Sequence, residues 1–305
     1  MAKALAFPLP HPAIAEPIEQ VSWLISAYPD ASHQLLYLQT AHAAYYLKWP
    51  KKQVKHQIFW RISQAWLALE PHTNYQTNYQ TTASSKSIWS QLASLTPLHW
   101  IEPLDVSPVT RPIASSTARL YLLTPALANE GAPENLSKQT LAKLRAHYQA
   151  MQGLTRSQFG SLVDPLFAIE QWYGRLKNCL EATNLPVHLV TAALVKAVDY
   201  PETACVPLML DWRWDQLTWQ QGLPDTIIDL DAWIWAPDTL NWVMLEYLLA
   251  EQSAADISCW VRDLNVDQVQ LNAWRDAYRL LLFAMNWQGA TDLQAWLNAP
   301  RLFQC

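Results

Sequence analysis

Apolar and polar positions along the chain follow two regimes. Between residue 35 and about residue 123 the apolar runs are short and broken by turn residues, whereas beyond Pro133 they lengthen and recur every three or four positions. In the first regime, Leu35–Leu38 and Ala43–Trp49 are aliphatic and aromatic runs separated by Gln39, Thr40, Ala41 and His42. That is the pattern of a β-hairpin, with Lys48 closing the second strand before Pro50. From Gln53 to Glu70 the apolar residues Val54, Ile58, Ile62, Trp66 and Leu69 predict a helix with one buried face, stopped by Pro71. Thr73 to Ser87 repeats a polar tetrad with almost nothing to bury and reads as a surface insertion. Short apolar runs follow at His99–Ile101 and Ala118–Leu123, and the connection between the two halves is placed at Leu123–Asn129.

In the second regime, Leu136–Met151 shows Leu141, Leu144, Tyr148 and Met151 on one stripe. Asp164–Leu180 does the same with Phe167, Ile169, Trp172, Tyr173, Leu176 and Leu180, so both are expected as core helices. Further helices are predicted at Leu240–Glu251, Val266–Trp287 and Asp292–Leu297. Between them lies a β patch, Val206–Asp211, Leu217–Trp219 and Thr226–Leu230, whose last two strands are joined by a turn over Gln220–Asp225. The expectation is an α+β protein, with residues 1–125 forming a sheet plus a helix and residues 126–305 mainly helical.

Composition narrows the function classes. Hydrophobic residues make up 51% and charged residues 15% of 305 residues, with 17 Trp and 12 Tyr, so the chain has the means to bury a core. A net charge of −5 offers no positive field for nucleic acid, and a small-molecule partner is expected instead. The four cysteines, Cys179, Cys205, Cys259 and Cys305, have neither zinc-finger nor disulfide-framework spacing, which points to a reducing, cytoplasmic setting. Four prolines interrupt the first seventeen residues, which read as a surface arm, and no apolar stretch approaches the length of a membrane span. The chain has no GxSxG, GxGxxG or HExxH motif, so serine-hydrolase, dinucleotide and zincin chemistry lack their signatures.

Candidate chemistry concentrates in Pro207–Trp233, where two apolar strands each run into an aspartate. Asp211 follows Leu208-Met209-Leu210, Gln216 stands five residues later, and Asp229 follows Thr226-Ile227-Ile228 eighteen residues after Asp211. An aspartate at a strand end also serves as a turn or capping residue. The spacing of the three residues is what singles them out.

This segment resembles the catalytic loop of the aminoglycoside/choline phosphotransferases, a kinase-like family. The resemblance implies a two-lobed protein-kinase-like fold, with a small β-rich first lobe and a larger helical second one. It further implies an ATP- and Mg²⁺-dependent kinase acting on a hydroxyl group. In that resemblance Asp211 orients the substrate hydroxyl and accepts its proton, Gln216 stands where the family has Asn, and Asp229 binds Mg²⁺. Arg213 offsets charge on the phosphoryl group or stacks on Trp212 or Trp214. Lys48 is either the strand-borne cation on the nucleotide phosphates or an ordinary solubilising residue, and Asp231 is a second metal-side ligand or a cap. Trp233 and Trp235 are candidates to meet a cationic substrate such as an amine.

Three departures accompany the resemblance. Met209 replaces a family His, Gln216 is one methylene longer than Asn, and no glycine precedes Gly131, so no Gly-rich loop covers the phosphates. They motivate a second expectation: a kinase-like module without catalysis that senses nucleotide or binds a protein.

Overall fold

A computed structural model describes residues 13–24, 33–50, 92, 94–101, 105–108, 120–161, 165–210, 212–229, 233–250, 257, 260 and 263–303. The predicted helix at 53–70, the polar insertion at 73–87, and Asp211 and Asp231 lie outside these residues.

The first half is built from strands β1 (Gln20–Leu24), β2 (His33–Gln39), β3 (Ala44–Pro50), β4 (His99–Trp100), β5 (Asp105–Pro108) and β6 (Leu120–Pro125). All but β4 form one antiparallel sheet in the order β1-β2-β3-β6-β5. The expected hairpin is β2–β3, with Leu36 opposite Leu47 and Leu38 opposite Tyr45. Strand alternation sends Leu36, Leu38, Leu47 and Leu123 into one small core. Ile14 joins that core, so the segment read as a surface arm is anchored at this residue. Lys48, next to Leu47, takes the opposite side of the sheet.

The second half opens with α1 (Lys138–Gln152), N-capped by Ser137, whose hydroxyl accepts from the Thr140 amide at 3.0 Å. Its predicted stripe of Leu141, Leu144, Tyr148 and Met151 is buried. The helix expected over 164–180 is shorter. Pro165–Ala168 is a strand, β8, paired with β7 (Gln158–Ser161), and α2 covers Trp172–Glu181. Pro165 cannot donate to a helical ladder. Phe167 meets Phe159 across the strands at 5.4 Å between ring centroids, so its helix-like spacing to Trp172 is coincidental.

Then come α3 (Val187–Ala197), β9 (Cys205–Met209), β10 (Leu217–Gln220), β11 (Leu223–Ile227), β12 (Trp233–Pro237), α4 (Asp238–Leu248), α5 (Gln268–Ala284) and α6 (Leu293–Leu297). The expected single β patch is two sheets. β9 pairs with β12 in the sheet β8-β7-β12-β9, while β10–β11 is a separate hairpin joined in parallel by β4. The turn is also tighter than expected. Gln221 and Gly222 both have positive φ (53° and 73°), closing a two-residue loop, and Pro224 belongs to the strand opposite Trp219. β4 pairs with β11 only at Thr226 and Ile227, so Pro224 interrupts no ladder bond on that side among the described residues.

The main core is aromatic, with Trp172, Trp242, Trp260, Trp274 and Tyr278 at 1% exposure or less. One feature of it is ionic. Glu246 on α4 accepts from Arg275 Nε (3.0 Å) and Arg279 Nη2 (2.9 Å) on α5, all three fully buried. The guanidinium groups also donate to the carbonyls of Leu297, Ala299, Pro300 and Phe303, fastening residues 297–303 across the two helices.

Candidate functional site

The side of β3 that carries Lys48 faces the end of the β10–β11 hairpin. Lys48 Nζ donates to Asp229 Oδ1 at 2.9 Å, an ion pair between residues 181 positions apart. Asp229 is 7% exposed, so its charge depends on such partners. The hairpin fixes its place: the amide of Ile228 donates to the Gln216 carbonyl at 3.0 Å, bringing the residues before β10 and after β11 side by side.

Gln216 extends the contact. With its amide nitrogen toward Asp229 Oδ2 (3.2 Å), its side-chain oxygen accepts from Arg213 Nη2. Arg213 Nε in turn donates to Asp215 Oδ1 at 3.0 Å, an ion pair at the solvent-facing edge of the network. Lys48, Asp229, Gln216 and Arg213 thus form one connected polar network, and Asp211 lies outside the described residues. Asp229 carries the hard oxygen donors that suit Mg²⁺, and Gln216 could add its oxygen only by turning its amide away from Arg213.

Tryptophan indoles brace this region. Trp287 Nε1 donates to the Leu210 carbonyl (2.8 Å), Trp219 Nε1 to that of Trp214 (2.9 Å) and Trp233 Nε1 to that of Asp229 (3.2 Å). No pattern in the sequence distinguishes these three indoles from the other fourteen. Trp233 and Trp235 are each 1% exposed, and the Arg156 guanidinium already sits 4.5 Å from the Trp235 ring centroid. Neither ring is open to a cationic solute, so the expected aromatic contact with substrate is replaced by a structural role.

A histidine packs behind the loop. His147 of α1 stacks on Trp212 at 5.6 Å, and burial pushes its imidazole down to about 3, so it is neutral. Among the described residues neither His147 Nδ1 nor Trp212 Nε1 has a hydrogen-bond partner.

At the other end of β9 lies a second acidic group. Glu202 accepts from Tyr278 Oη (2.8 Å), Gln270 Nε2 (2.6 Å) and the Thr239 hydroxyl. Burial pushes it up to about 7, despite these hydrogen bonds. Asp238 accepts from Gln152 Nε2 (2.7 Å) and Trp242 Nε1 (3.0 Å), and burial raises it to about 6. Burial, with Glu202 nearby, pushes the Cys205 thiol up to about 12, making it inert. Among the described residues no group of three or more His, Cys, Asp or Glu is arranged to hold a metal ion, and no helix is long and apolar enough to cross a membrane.

No protein-family model matches the sequence, and no curated protein matches it. Solved structures do. The aminoglycoside phosphotransferase APH(4)-Ia superposes with a TM-score of 0.57 at 12% identity, over 92% of this chain and 90% of that one. The chain has the aminoglycoside phosphotransferase fold. The macrolide 2'-phosphotransferase MphH from Brachybacterium faecium shares it with a TM-score of 0.53 at 8% identity, over 94% of this chain and 95% of that one. APH(2'')-Ib, in its ADP-bound form, matches at 0.51 and 11% over the same shares. At these identities the likeness is one of fold, and it meets the expectation of a kinase-like α+β architecture.

Proposed function

We propose that this protein transfers the terminal phosphate of ATP, with Mg²⁺, to a hydroxyl group of a small molecule. The observation that carries the reading is the Lys48–Asp229 ion pair: a strand-borne cation of the first sheet meets the carboxylate at the end of the hairpin. The fold adds support, because a thermostable mutant of APH(4)-Ia was crystallised with ADP and hygromycin B.

In this reading Lys48 binds phosphate oxygens, Asp229 would hold Mg²⁺, joined by Gln216 once its amide turns from Arg213, and Arg213 faces the charge that develops on the moving phosphoryl group. A Mg²⁺ held there would supply neutralisation of phosphate charge. Asp211 takes the proton of the acceptor hydroxyl as its oxygen bonds to the γ-phosphorus, and the bond from that phosphorus to the ADP oxygen breaks. Positioning and charge, more than covalent chemistry, set the rate.

The test is a thermal-shift titration with ATP and Mg²⁺, followed by a phosphorylation assay over amino alcohols, aminoglycosides and neutral sugars. A ligand at a hundred times its Kd stabilises the native state by about 2.7 kcal/mol. Binding and turnover are expected in the native protein, with Asp211→Asn keeping binding and losing turnover. Full turnover in that variant would remove Asp211 from the mechanism.

One observation favours a second reading. Both Asp229 oxygens already meet donors, Lys48 Nζ and the Gln216 amide, an arrangement complete without a metal. With Met209 and no glycine before Gly131, it suits a non-catalytic module that senses nucleotide or binds a protein. Absence of any shift with millimolar ATP and Mg²⁺ selects the protein-binding form. A shift without turnover across the panel selects the sensor.

A further inference from the structure

Trp287 lies far along the chain from Pro207–Trp233, on the turn between α5 and α6. Its Nε1 donates to the carbonyl of Leu210, the residue directly before Asp211, at 2.8 Å with both groups buried. The turn that delivers it is strained. Asn286 and Gln288, on either side of Trp287, have φ of 55° and 56°, followed by Gly289 at 71°. Left-handed backbone costs a non-glycine residue roughly 1 kcal/mol, and it persists where surrounding structure holds it.

The surroundings here are aromatic. Tyr247 of α4 and Trp296 of α6 stack on each other at 3.8 Å, and each meets the Trp287 ring edge-on at 6.0 Å. Trp296 is held in turn by its Nε1 bond to the Arg279 carbonyl (2.8 Å). Three rings from three elements therefore aim one N–H at one carbonyl. Two left-handed residues and a ring cage exceed what filling a core requires, since a Phe would fill that space without the donor.

We infer that Trp287 is a positioning residue for the catalytic loop: its indole N–H fixes the carbonyl that precedes Asp211. The loop is held at its other end by the Trp219 bond to Trp214 and the Ile228 bond to Gln216. Trp287 touches no reacting atom and acts through Leu210. The kinetic consequence rests on the phosphotransferase reading, whereas the mechanical one does not.

The test pairs Trp287→Phe, which keeps an aromatic ring and deletes the donor, with Trp296→Phe, which loosens the cage but leaves the donor in place. In Trp287→Phe, amide hydrogen exchange across residues 208–216 should speed up about tenfold, as expected for one lost hydrogen bond, with residues 217–229 unchanged. If the native protein turns over ATP, kcat should fall roughly tenfold while the KM for ATP stays within about twofold. Trp296→Phe should give a smaller kcat change.

Unchanged exchange across 208–216 overturns the inference, and so does a change spread evenly over the second half of the chain. If the native protein shows no turnover, the phosphotransferase reading fails on its own, and exchange alone decides whether Trp287 holds the loop. Should Trp287→Phe fail to fold, site-specific 3-benzothienylalanine at position 287 replaces the N–H by sulfur at nearly constant shape, and the same two outcomes apply.

Discussion

Lys48 Nζ lies 2.9 Å from Asp229 Oδ1, and this contact couples the five-stranded sheet to the β10–β11 hairpin. The two side chains are 24% and 9% exposed, so the pair is neither a free surface bridge nor a fully buried one. Its rupture is costly mainly because it leaves Asp229 without its cation.

Lys48→Met should therefore lower stability by about 1–3 kcal/mol. Asp229→Asn, which removes the stranded charge, should recover much of that loss in the double variant. Urea denaturation of the four proteins checks this, and an interaction energy below about 0.5 kcal/mol would show that the pair is mechanically irrelevant.

Glu202 makes the protein lose stability as pH rises from acid to neutral. Its folded-state value of about 7 lies above the ordinary 4.5, so the native state holds a proton that the unfolded chain has released. The stabilisation is fully present below pH 4.5 and is lost as pH rises through about 7, by about 3 kcal/mol if the whole shift is realised. Asp238 acts in the same direction up to about 6. Glu202→Gln should be more stable than the native protein at pH 8 and comparable at pH 4, measured by thermal melts across that range.

His147 works in the opposite sense. Its value of about 3 lies below the ordinary 6.5, so the unfolded chain takes up a proton first and stability falls as pH drops from 6.5 towards 3. His147→Phe removes a buried ring nitrogen that has no partner among the described residues and should flatten this acid limb. The stability gap over the native protein should widen by about 1–3 kcal/mol between pH 7 and pH 4. A gap independent of pH would show that His147 does not titrate in this window.

These residues show what the sequence could and could not reveal. The two apolar runs Leu35–Leu38 and Ala43–Trp49, parted by the short polar break at Gln39–His42, predicted the β2–β3 hairpin and put Lys48 on it. The Leu141-Leu144-Tyr148-Met151 stripe did the same for α1. Periodicity failed at Pro165–Ala168, where a four-residue strand leads into α2 with spacing that imitates a helix. It failed again at Pro224, where a residue that usually ends strands sits in one. Spacing alone brought Gln216 and Asp229 together, since the hairpin joining them is local. What it could not give is the partner of Asp229, because a contact across 181 residues depends on how the two halves pack. The Leu210–Trp287 bond was hidden for the same reason, in a chain where tryptophan is too common to be a signal.

Glu246 offers a test of the ionic core. Removing the one carboxylate between Arg275 and Arg279 leaves two buried guanidinium groups facing each other, so Glu246→Ala should cost about 3–5 kcal/mol. Arg275→Met alone should cost less, because the Glu246–Arg279 pair survives. Chemical denaturation at neutral pH checks both, and equal losses would show that the three charges do not act as a unit.

The carbonyls of residues 297–303 that complete these arginines follow α4 and α5 in the chain. Until they arrive, the two guanidinium groups share a single counter-charge and lack four of their acceptors. A variant cut ahead of Leu297 would leave this part of the molecule open to solvent. The helical half therefore cannot close helix by helix, because the charges of α4 and α5 are paired but not saturated until residues 297–303 dock on them.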